Sequence, residues 1–397
     1  MNASHRKLRI LHVTEASCAG VGGHMLDLAE GLEQCGCENH LIYSENRIDA
    51  SFRERLSQFP RSQIMPVSMR RMPHWSDWQA RNQIAHYIAE HGPFDIIHGH
   101  STKAGGLTRL KKIARSTKVV YTPNGIFTMN PTIGVAVSMT ARWIEKWLAN
   151  RSAAIIAVSL EERDHMRDIG LPTDRVHLIP NGLRPIVWPD RKQIRSALGI
   201  ADNTITIGFL GRLAPQKNPL LMIEAFARLR PVNDLVTRLL MVGEGPLTAQ
   251  ARRLAEQRGI SDRVDWLGYK TAEQSMPAFD IFVMPSRYEG MPYVLMEAVS
   301  NGIPVVATRV GGASLSIDHG SNGFLVPLED PTALAEALQH LVDQPSLRAE
   351  FSAAGLKKSA EFAVNKMIER THQLYCRLVT APSVNSPINQ RSHAHVG

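Results

Sequence analysis

Two glutamates eight positions apart, Glu289 and Glu297, lie in the segment DIFVMPSRYEGMPYVLMEAVSNG (280–302). An apolar strand there precedes a short turn with Glu289 and Gly290, and a helix is expected to begin near Pro292. The free N–H groups and positive dipole end of a helix N-terminus suit a diphosphate. Carboxylates beside it can accept hydrogen bonds from sugar and ribose hydroxyls. The competing interpretation is a solvent-facing pair of glutamates, which is common in α/β proteins.

Two basic residues form a second signal in the segment GFLGRLAPQKNP (208–219). A glycine turn after a strand presents Arg212 and Lys217 from one short loop. Two cations close together can neutralise a departing diphosphate, because arginine offers a planar fork of donors and lysine a compact charge. An ordinary exposed basic loop is the alternative, but the presence of Glu289 and Glu297 favours the phosphate interpretation.

The N-terminal half carries two weaker signals. The string CAGVGGH (18–24) is predicted to be a loop between the first strand and the first helix, where backbone N–H groups can approach a phosphate. The string DIIHGHSTKAGG (95–106) places His98 and His100 at a strand end, two positions apart, so that both side chains project toward one face. A tight turn without a ligand and buried, hydrogen-bonded histidines are the competing interpretations.

The elements that must position these residues follow a regular alternation. Apolar, strand-like runs alternate with helix-period segments such as 24–34 and 78–92 along almost the whole chain. This pattern is typical of α/β domains with parallel sheets, whose ligand loops lie at the carboxyl ends of the strands. The predicted strands are 8–14, 40–44, 95–100, 118–123 and 153–159 in the first half, and 204–212, 238–245, 264–269, 281–286, 304–308 and 323–327 in the second.

A chain of 397 residues is too long for one ordinary hydrophobic core, so two domains are expected. Prolines and a glycine interrupt regular structure at IPNGLRPIVWPDR (179–191), where we place the boundary. We predict an N-terminal domain over 1–185 and a C-terminal domain over 186–379, the latter closed by the helical stretch 331–379. Residues 380–397 lack periodicity and bulk and are predicted to form a disordered tail.

Composition narrows the class further. No run approaches the roughly 18 apolar residues of a membrane-spanning helix, and the N-terminus resembles a first strand rather than a secretion signal. The four cysteines show neither metal-binding spacing nor a disulfide framework, which suits a reducing cytosol. We therefore expect a cytoplasmic protein, with peripheral association at the inner face of the plasma membrane as a hypothesis.

The chain carries a formal net charge of +8. Such an excess can meet an anionic lipid surface, a charged acceptor or nucleic acid, or it can be a solvated helix face. A nucleic-acid partner is not expected, because no stacking platform or recognition motif accompanies the charge. The basic residues are densest at Lys103, Arg109, Lys111, Lys112, Arg115 and Lys118.

The chain resembles the retaining family 4 glycosyltransferases of the GT-B fold over nearly its whole length. The resemblance implies two facing Rossmann-like domains, with the nucleotide-sugar donor on the C-terminal domain, the acceptor mainly on the N-terminal domain, and neither an essential metal nor another cofactor. The strings that carry it are FLGRLAPQKNP (209–219), LLMVGEGP (239–246), VDWLGY (264–269), MPSRYEGMPYVLMEAVSNGIPVVATRVGG (284–312) and NGFLVPLEDP (322–331).

The resemblance also assigns roles in the C-terminal half. Arg212 and Lys217 match the family's phosphate-binding arginine and lysine. Glu289 matches the first glutamate of its Glu-x7-Glu motif, which contacts the donor sugar, and Glu297 matches the second, which holds the ribose hydroxyls. The backbone of Gly290, Met291 and Pro292 is expected to lie against the sugar and the phosphates.

In the N-terminal half, Gly22 and Gly23 match a loop that faces the donor diphosphate, and His100 matches a histidine near the transferred sugar. The expected catalytic set is therefore His100, Glu289, Arg212 and Lys217. Many relatives have a histidine where this chain has Asn124, and an amide cannot take up a proton as an imidazole can. We therefore expect Asn124 to hydrogen-bond the acceptor.

A second departure is the stretch VGGASLSIDHG (310–320), where Leu315 and Ser316 stand in place of a frequent glutamate. Either this loop influences donor choice less than usual, or another residue supplies a substituted contact. The Asp-x-Asp pair by which other transferases chelate a metal does not occur in the chain. Without a metal, Arg212, Lys217, the helix N-terminus and the glycine loop (18–24) must stabilise the departing nucleoside diphosphate.

The expected activity is hexosyl transfer, with retention, from a nucleoside diphosphate sugar to a saccharide or lipid-linked acceptor. Cell-surface polysaccharide, lipopolysaccharide or glycolipid synthesis is the expected setting. Two alternatives stay open at this point. One is a nucleotide-sugar epimerase of the same GT-B architecture, and the other is a non-catalytic scaffold that binds nucleotide sugar.

Overall fold

The computed structural model describes residues 6–110, 116–231 and 235–380. The described residues form two parallel sheets, one of seven strands and one of six, with helices packed against them. This arrangement confirms the predicted α/β class with two doubly wound domains. The predicted tail over 380–397 lies, apart from Thr380, outside the described residues.

The first sheet has the strand order β3-β2-β1-β4-β5-β6-β7. Its central strands are buried along almost their whole length, as expected of a parallel sheet covered on both faces. The first five predicted strands are present, and two short edge strands accompany them. The bounds are β1 (Arg9–Thr14), β2 (Glu38–Tyr43), β3 (Ile64–Pro66), β4 (Ile96–His100), β5 (Lys118–Thr122), β6 (Ala154–Ala157) and β7 (Val176–Leu178).

The second sheet has the order β10-β9-β8-β11-β12-β13, and all six strands predicted for it are present. Apolar cores lie on both of its faces. The bounds are β8 (Thr204–Leu210), β9 (Val236–Val242), β10 (Val264–Gly268), β11 (Ile281–Met284), β12 (Val305–Thr308) and β13 (Gly323–Val326).

Helices connect most of the consecutive strands. Those of the first half are α1 (Ala19–Gln34), α2 (Ala50–Leu56), α3 (Asp77–His91), α4 (Thr102–Arg109), α5 (Val135–Ala149) and α6 (Leu160–Asp168). Those of the second half are α7 (Arg191–Ala197), α8 (Pro219–Phe226), α9 (Thr248–Gln257), α10 (Tyr293–Ser300), α11 (Ala313–Ser316), α12 (Pro331–Asp343), α13 (Pro345–Ser359) and α14 (Val364–Thr380).

The last helix, α14, packs on the first domain. We expected the stretch 331–379 to close the second domain, and this is wrong for its final part. Met367 and Leu374 of α14 lie in one core with Ile10 and Leu28 of the first domain. The apolar stripe of α14 covers a face of the first sheet beside α1, whereas α12 packs on the second sheet. The predicted range 186–379 therefore includes a helix that belongs to the other core.

The chain consequently passes between the domains twice, and the two crossings lie side by side. The Leu183 N–H donates to the Phe362 carbonyl over 2.6 Å, and the Val364 N–H donates back to the Leu183 carbonyl over 3.2 Å. Two adjacent crossings form a natural hinge, because a few residues between rigid elements can absorb a change in the angle between domains.

Candidate functional site

The sequence-predicted residues gather where both sheets reverse their strand order. In the first sheet, β1 and β4 are neighbours at this switch point, and in the second sheet β8 and β11 are. Ligands of doubly wound folds bind outside the carboxyl ends of such strands. The loop after β8 carries Arg212 and Lys217, and the loop after β11 carries Glu289 and Gly290. These two loops form one wall of a cleft between the domains.

Lys217 and Glu289 form an ion pair on this wall. The Lys217 Nζ donates to Glu289 Oε1 over 2.7 Å, and the Glu289 side chain is buried. Gln216 joins the same loops, because its amide donates to the Tyr288 carbonyl over 3.2 Å and to Glu289 Oε2 over 3.3 Å. The structure therefore brings together two residues that lie 72 positions apart and were predicted to share a site.

Arg212 lies on the same loop but is not part of this ion pair. No carboxylate within residues 6–110, 116–231 and 235–380 forms an ion pair with it. Partial burial lowers the pKa of Arg212, and the nearby charges of Arg71 and Arg47 from the first domain lower it further. Arginines of both domains thus lie near this part of the cleft. Arg47 is paired with Glu15, and the remaining positive charge favours an anionic ligand.

The helix α10 begins where it was predicted. Pro292 is its N-cap residue, and Glu297 lies in its second turn. The Glu297 side chain is half-buried, and this burial, together with the negative charge of Glu273, raises its pKa to about 7. Lys217 opposes the shift. A partly desolvated carboxylate of this kind is stabilised when a ligand donates hydrogen bonds to it.

The opposing wall begins with α1, and here one expectation is wrong. The string 18–24 was predicted to be a loop, but α1 starts at Ala19, so Gly22 and Gly23 lie inside the helix. The Gly22 N–H already donates to the Cys18 carbonyl over 3.2 Å. The free N–H groups that can meet a phosphate are therefore those of the residues before Gly22. A side chain at Gly23 would find no atom within 4 Å, so this position borders open space.

His100 lies at the end of β4 within a cluster of buried imidazoles. Its Nε2 is 3.0 Å from His12 Nδ1, and its ring centroid is 3.9 Å from that of His98. His98 is held by the hydroxyls of Tyr375 at 2.5 Å and Thr122 at 2.7 Å. Burial lowers the pKa of His100 well below its usual value, and the neighbouring histidines lower it further. His100 is therefore neutral at physiological pH.

The same histidines have the composition of a metal site. One ligand atom each of His12, His98 and His100 lies within 4.8 Å of the others. Both ring nitrogens of His12 and of His98 are, however, already engaged in hydrogen bonds, to His100 and Asn39 and to Tyr375 and Thr122. The cluster is thus arranged as a network of neutral imidazoles and hydroxyls.

Asn124 lies in the loop after β5, opposite the β11 loop. It adopts a left-handed conformation with φ of 54° and is followed by Gly125. Both amide atoms of Asn124 are buried, and neither finds a hydrogen-bond partner in the described part of the chain. A side chain on Gly290 would approach the Gly125 nitrogen to 2.6 Å, so the two walls touch here. The unsatisfied amide of Asn124 is suited to a ligand hydroxyl.

Sequence reasoning missed a pocket beside Arg212. It has a volume of about 280 Å³ and opens at the carboxyl ends of β9 and β10. The strings LLMVGEGP and VDWLGY, which contribute most of its lining, were recognised without a role being assigned to them. Its lining consists of Gly243, Glu244, Gly245, Thr248, Arg252, Trp266 and Gly268.

Two members of the basic stretch 103–118, Lys103 and Arg109, are paired with carboxylates in the structure. Lys103 is bound to Asp77 and to the Met72 carbonyl. Arg109 is fully buried, with Glu145 at 3.0 Å and the Tyr121 ring beneath its guanidinium at 3.8 Å. A buried charge needs such partners, because it has lost its hydration. Lys111, Lys112 and Arg115 lie outside the described residues.

Two doubly wound parallel-sheet domains that meet across a ligand cleft define the GT-B fold, and the resemblance to solved glycosyltransferases agrees. The fold is similar to that of Anabaena HepE in complex with UDP and glucose, with a TM-score of 0.79 and 21% identity over 93% of this chain and 99% of that one. Sucrose-phosphate synthase from Thermosynechococcus elongatus matches with a TM-score of 0.78 and 20% identity, over 94% and 99%.

The chain belongs to the family 4 glycosyltransferases, and it is a glycosyltransferase. Residues 19–185 match glycosyltransferase family 4, and residues 190–358 match glycosyl transferases group 1. A UDP-Gal:α-D-GlcNAc-diphosphoundecaprenol α-1,3-galactosyltransferase from Escherichia coli is 25% identical, over 96% of this chain and 99% of the relative. A D-inositol 3-phosphate glycosyltransferase from Corynebacterium jeikeium is 30% identical, over 72% and 73%. Among the described helices, none combines the length and hydropathy needed to cross a bilayer.

Proposed function

We propose that the protein transfers a hexose, with retention of anomeric configuration and without a metal, from a nucleoside diphosphate sugar to a saccharide or lipid-linked acceptor. The observation that carries this proposal is the wall formed by Arg212, the Lys217–Glu289 pair and the N-terminus of α10. Cations, free N–H groups and carboxylates meet there at a topological switch point. This combination suits a ligand with a diphosphate at its centre and hydroxyls at both ends.

In this proposal, the diphosphate lies between Arg212, Lys217 and the N-terminus of α10. These groups stabilise the charge that develops on the leaving group, which is the role that a metal ion plays in other transferases. Glu297 holds the ribose, and the pocket lined by Trp266 and Arg252 receives the base. Support for a UDP-type donor comes from the Escherichia coli relative and from HepE, whose names include UDP-Gal and UDP.

Retention is explained by an oxocarbenium-like step in which the acceptor hydroxyl attacks from the leaving-group side. Glu289 lies at the sugar end of the donor and stabilises positive charge at the anomeric carbon. His100 is buried and neutral, and its Nδ1 has no partner among the described residues, so it is suited to a hydrogen bond from a sugar hydroxyl. Asn124 provides the corresponding contact for the acceptor.

A lipid-linked acceptor is favoured by the surface of the first domain. Val135, Met139, Trp143 and Trp147 follow one another at intervals of four along α5 and form an apolar stripe, in which Val135 is 77% and Trp143 67% exposed. Soluble proteins seldom expose such a stripe without a partner. We propose that this stripe, rather than the basic stretch 103–118, seats the protein on the membrane that carries its acceptor.

The test is a transfer assay with UDP-galactose, UDP-glucose and a GlcNAc-diphosphate lipid, in the presence of a metal chelator. Nuclear magnetic resonance of the product gives the anomeric configuration. We expect an α-linked disaccharide lipid, and Arg212→Ala or Lys217→Ala should lower turnover by about 10²-fold. An inverted product, or chelator-sensitive turnover, would contradict the mechanism. A changed nucleotide sugar in the absence of acceptor would instead support the epimerase alternative.

A further inference from the structure

The helix α6 begins with two adjacent glutamates that hold different parts of the molecule. Glu162 is buried and accepts from the N–H groups of Val158, Gly125 and Ile126, at 2.8, 2.8 and 2.7 Å. It thereby fixes the loop that carries Asn124 in the first domain. Its neighbour Glu161 has no such partner in its own domain.

Glu161 reaches across the cleft to the second domain. Its carboxylate accepts from the Gly312 N–H over 3.0 Å and from the Ser314 hydroxyl over 2.6 Å. No basic side chain in the described parts of the chain forms an ion pair with Glu161. Hydrogen bonds to an ionised acceptor are stronger than neutral ones. The negative charge of Glu161 therefore strengthens its hydrogen bonds to Gly312 and Ser314 of the second domain.

The two loops that the glutamates hold meet on the backbone of the candidate site. A side chain on Gly311 would approach the Glu289 carbonyl to 2.4 Å, and one on Gly312 would approach Met291 Cα to 2.6 Å. On the other side, Gly290 is in backbone contact with Gly125. The segment Glu289–Met291 is thus enclosed between a loop fixed by Glu162 and a loop fixed by Glu161.

We propose that Glu161 is a positioning residue for domain closure. Through Gly312 and Ser314 it holds the second domain against the first, so that the Glu289–Met291 segment faces Asn124 across the cleft. This rests on the proposed function for what the closed cleft does, because the donor groups lie on one domain and the acceptor groups on the other. Ser314 takes part in this chain's own closure, in the loop where Leu315 replaces a frequent glutamate.

Substitution of Glu161 is expected to affect UDP binding and turnover differently. Arg212, Lys217 and Glu297 all belong to the second domain, so UDP should bind Glu161→Ala with an affinity within about twofold of the wild type. Transfer needs both walls, so kcat should fall by about tenfold or more, the equivalent of one lost charged hydrogen bond. Glu161→Gln should recover part of this loss, because its amide oxygen can still accept from the Gly312 N–H.

The experiment compares Glu161→Ala, Ser314→Ala and the double variant by kinetics, UDP calorimetry and small-angle X-ray scattering without ligand. Asp164→Ala is the matched control, because Asp164 is an exposed carboxylate of α6 that pairs within its own helix. We expect a larger radius of gyration for Glu161→Ala than for the control. The double variant should lose no more activity than Glu161→Ala, because Glu161→Ala already removes the hydrogen bond that Ser314→Ala breaks.

Equal radii of gyration for Glu161→Ala and Asp164→Ala, or additive losses in the double variant, would overturn the proposal. A drop in UDP affinity as large as the drop in kcat would also overturn it, since closure would then not be the step affected. If the wild-type protein transfers no sugar, the proposed function fails by itself. The scattering comparison still decides whether Glu161 holds the domains together.

Discussion

At the scale of single residues, the central feature is the ion pair in which Lys217 and Glu289 neutralise each other. A diphosphate would compete with Glu289 for the Lys217 ammonium group. Release of Glu289 would then leave its carboxylate free to face the sugar. The ion pair thus keeps two groups of opposite charge in place in a partly buried site, where either alone would be costly.

We predict different roles for the two glutamates, Glu289 and Glu297. Glu297→Ala should weaken UDP binding by about tenfold or more, because it removes the charged carboxylate to which the ribose hydroxyls are proposed to donate. The affinity of Glu289→Ala for UDP should stay unchanged or increase, since Lys217 is freed for the diphosphate. In turnover, Glu297→Ala should mainly raise the donor KM and Glu289→Ala should chiefly lower kcat.

Calorimetry of UDP with both variants, followed by steady-state kinetics, checks this prediction. Glu336→Ala is a suitable control, because Glu336 is an exposed carboxylate of α12. Equal losses of UDP affinity in the two variants, or a larger loss for Glu289→Ala, would mean that the roles have been assigned wrongly.

The raised pKa of Glu297 predicts a pH dependence. Below about pH 7 the carboxyl of the free protein is protonated and accepts hydrogen bonds less well, so UDP affinity should fall as the pH drops from 8 to 6. Glu297→Gln cannot titrate, so its UDP affinity should be lower and should change less over this range.

The stability of the free protein should change in the opposite direction and rise as the pH drops from 8 to 6. A carboxyl whose pKa is raised by folding opposes folding at higher pH, so Glu297→Gln should raise the melting temperature at pH 8.

At the scale of elements, the strands were the most predictable part of the fold. Buried parallel strands appear as continuous apolar runs, and every such run became a strand. The edge strands β3 and β7 were missed, because they have three residues each and are only partly buried. The start of α1 was missed because its glycines suggested a loop, although in the structure α1 packs closely enough to bring Gly20 against Tyr293.

The placement of α14 could not be read from periodicity. An apolar stripe shows that a helix is covered, but it does not show which sheet covers it. Arg212, Lys217, Glu289 and Glu297, by contrast, were predicted as one site from residue type and from the family resemblance, and the structure brings Lys217 and Glu289 into contact. The contact of Glu161 with Gly312 was not predictable, since it depends on how the two domains meet.

The docking of α14 yields a stability prediction. The Tyr375 hydroxyl is buried and lies 2.5 Å from His98 Nδ1. Tyr375→Phe would leave a buried imidazole nitrogen without its partner, which should lower the free energy of unfolding by about 1–3 kcal/mol. Chemical denaturation at pH 7 measures the change. Gln373→Ala, an exposed position of the same helix, should leave stability within about 0.5 kcal/mol of the wild type. A loss no larger than that of Gln373→Ala would show that the hydroxyl does not support the histidine cluster.

At the scale of the whole molecule, the two domains present different surfaces. The helix α4 is tied to the start of α3 by Lys103 and to α5 by Arg109. The first domain exposes a second set of apolar residues, Met72, Trp75 and Trp78, around the start of α3. Asn124, which we propose contacts the acceptor, belongs to the same domain. If the acceptor is lipid-linked as proposed, this domain is the one expected to face the membrane.

We accordingly predict that the first domain binds vesicles through the α5 stripe. Tryptophan and other apolar side chains insert at the lipid boundary, while Arg142 and Lys146 of α5 attract anionic headgroups. The wild type should sediment with anionic vesicles more than with neutral ones, and added salt should release part of it. Trp143→Ala combined with Met139→Ala should reduce sedimentation by about tenfold, because most of the inserted apolar area is lost.

Leu356→Ala, at an exposed apolar position of the second domain, is the matched control and should bind like the wild type. Equal sedimentation of the double variant and the Leu356→Ala control would rule out the stripe as the membrane contact. A loss of transfer to a lipid-linked acceptor in the double variant, with transfer to a short water-soluble analogue retained, would show that the stripe serves access to the acceptor rather than the chemistry.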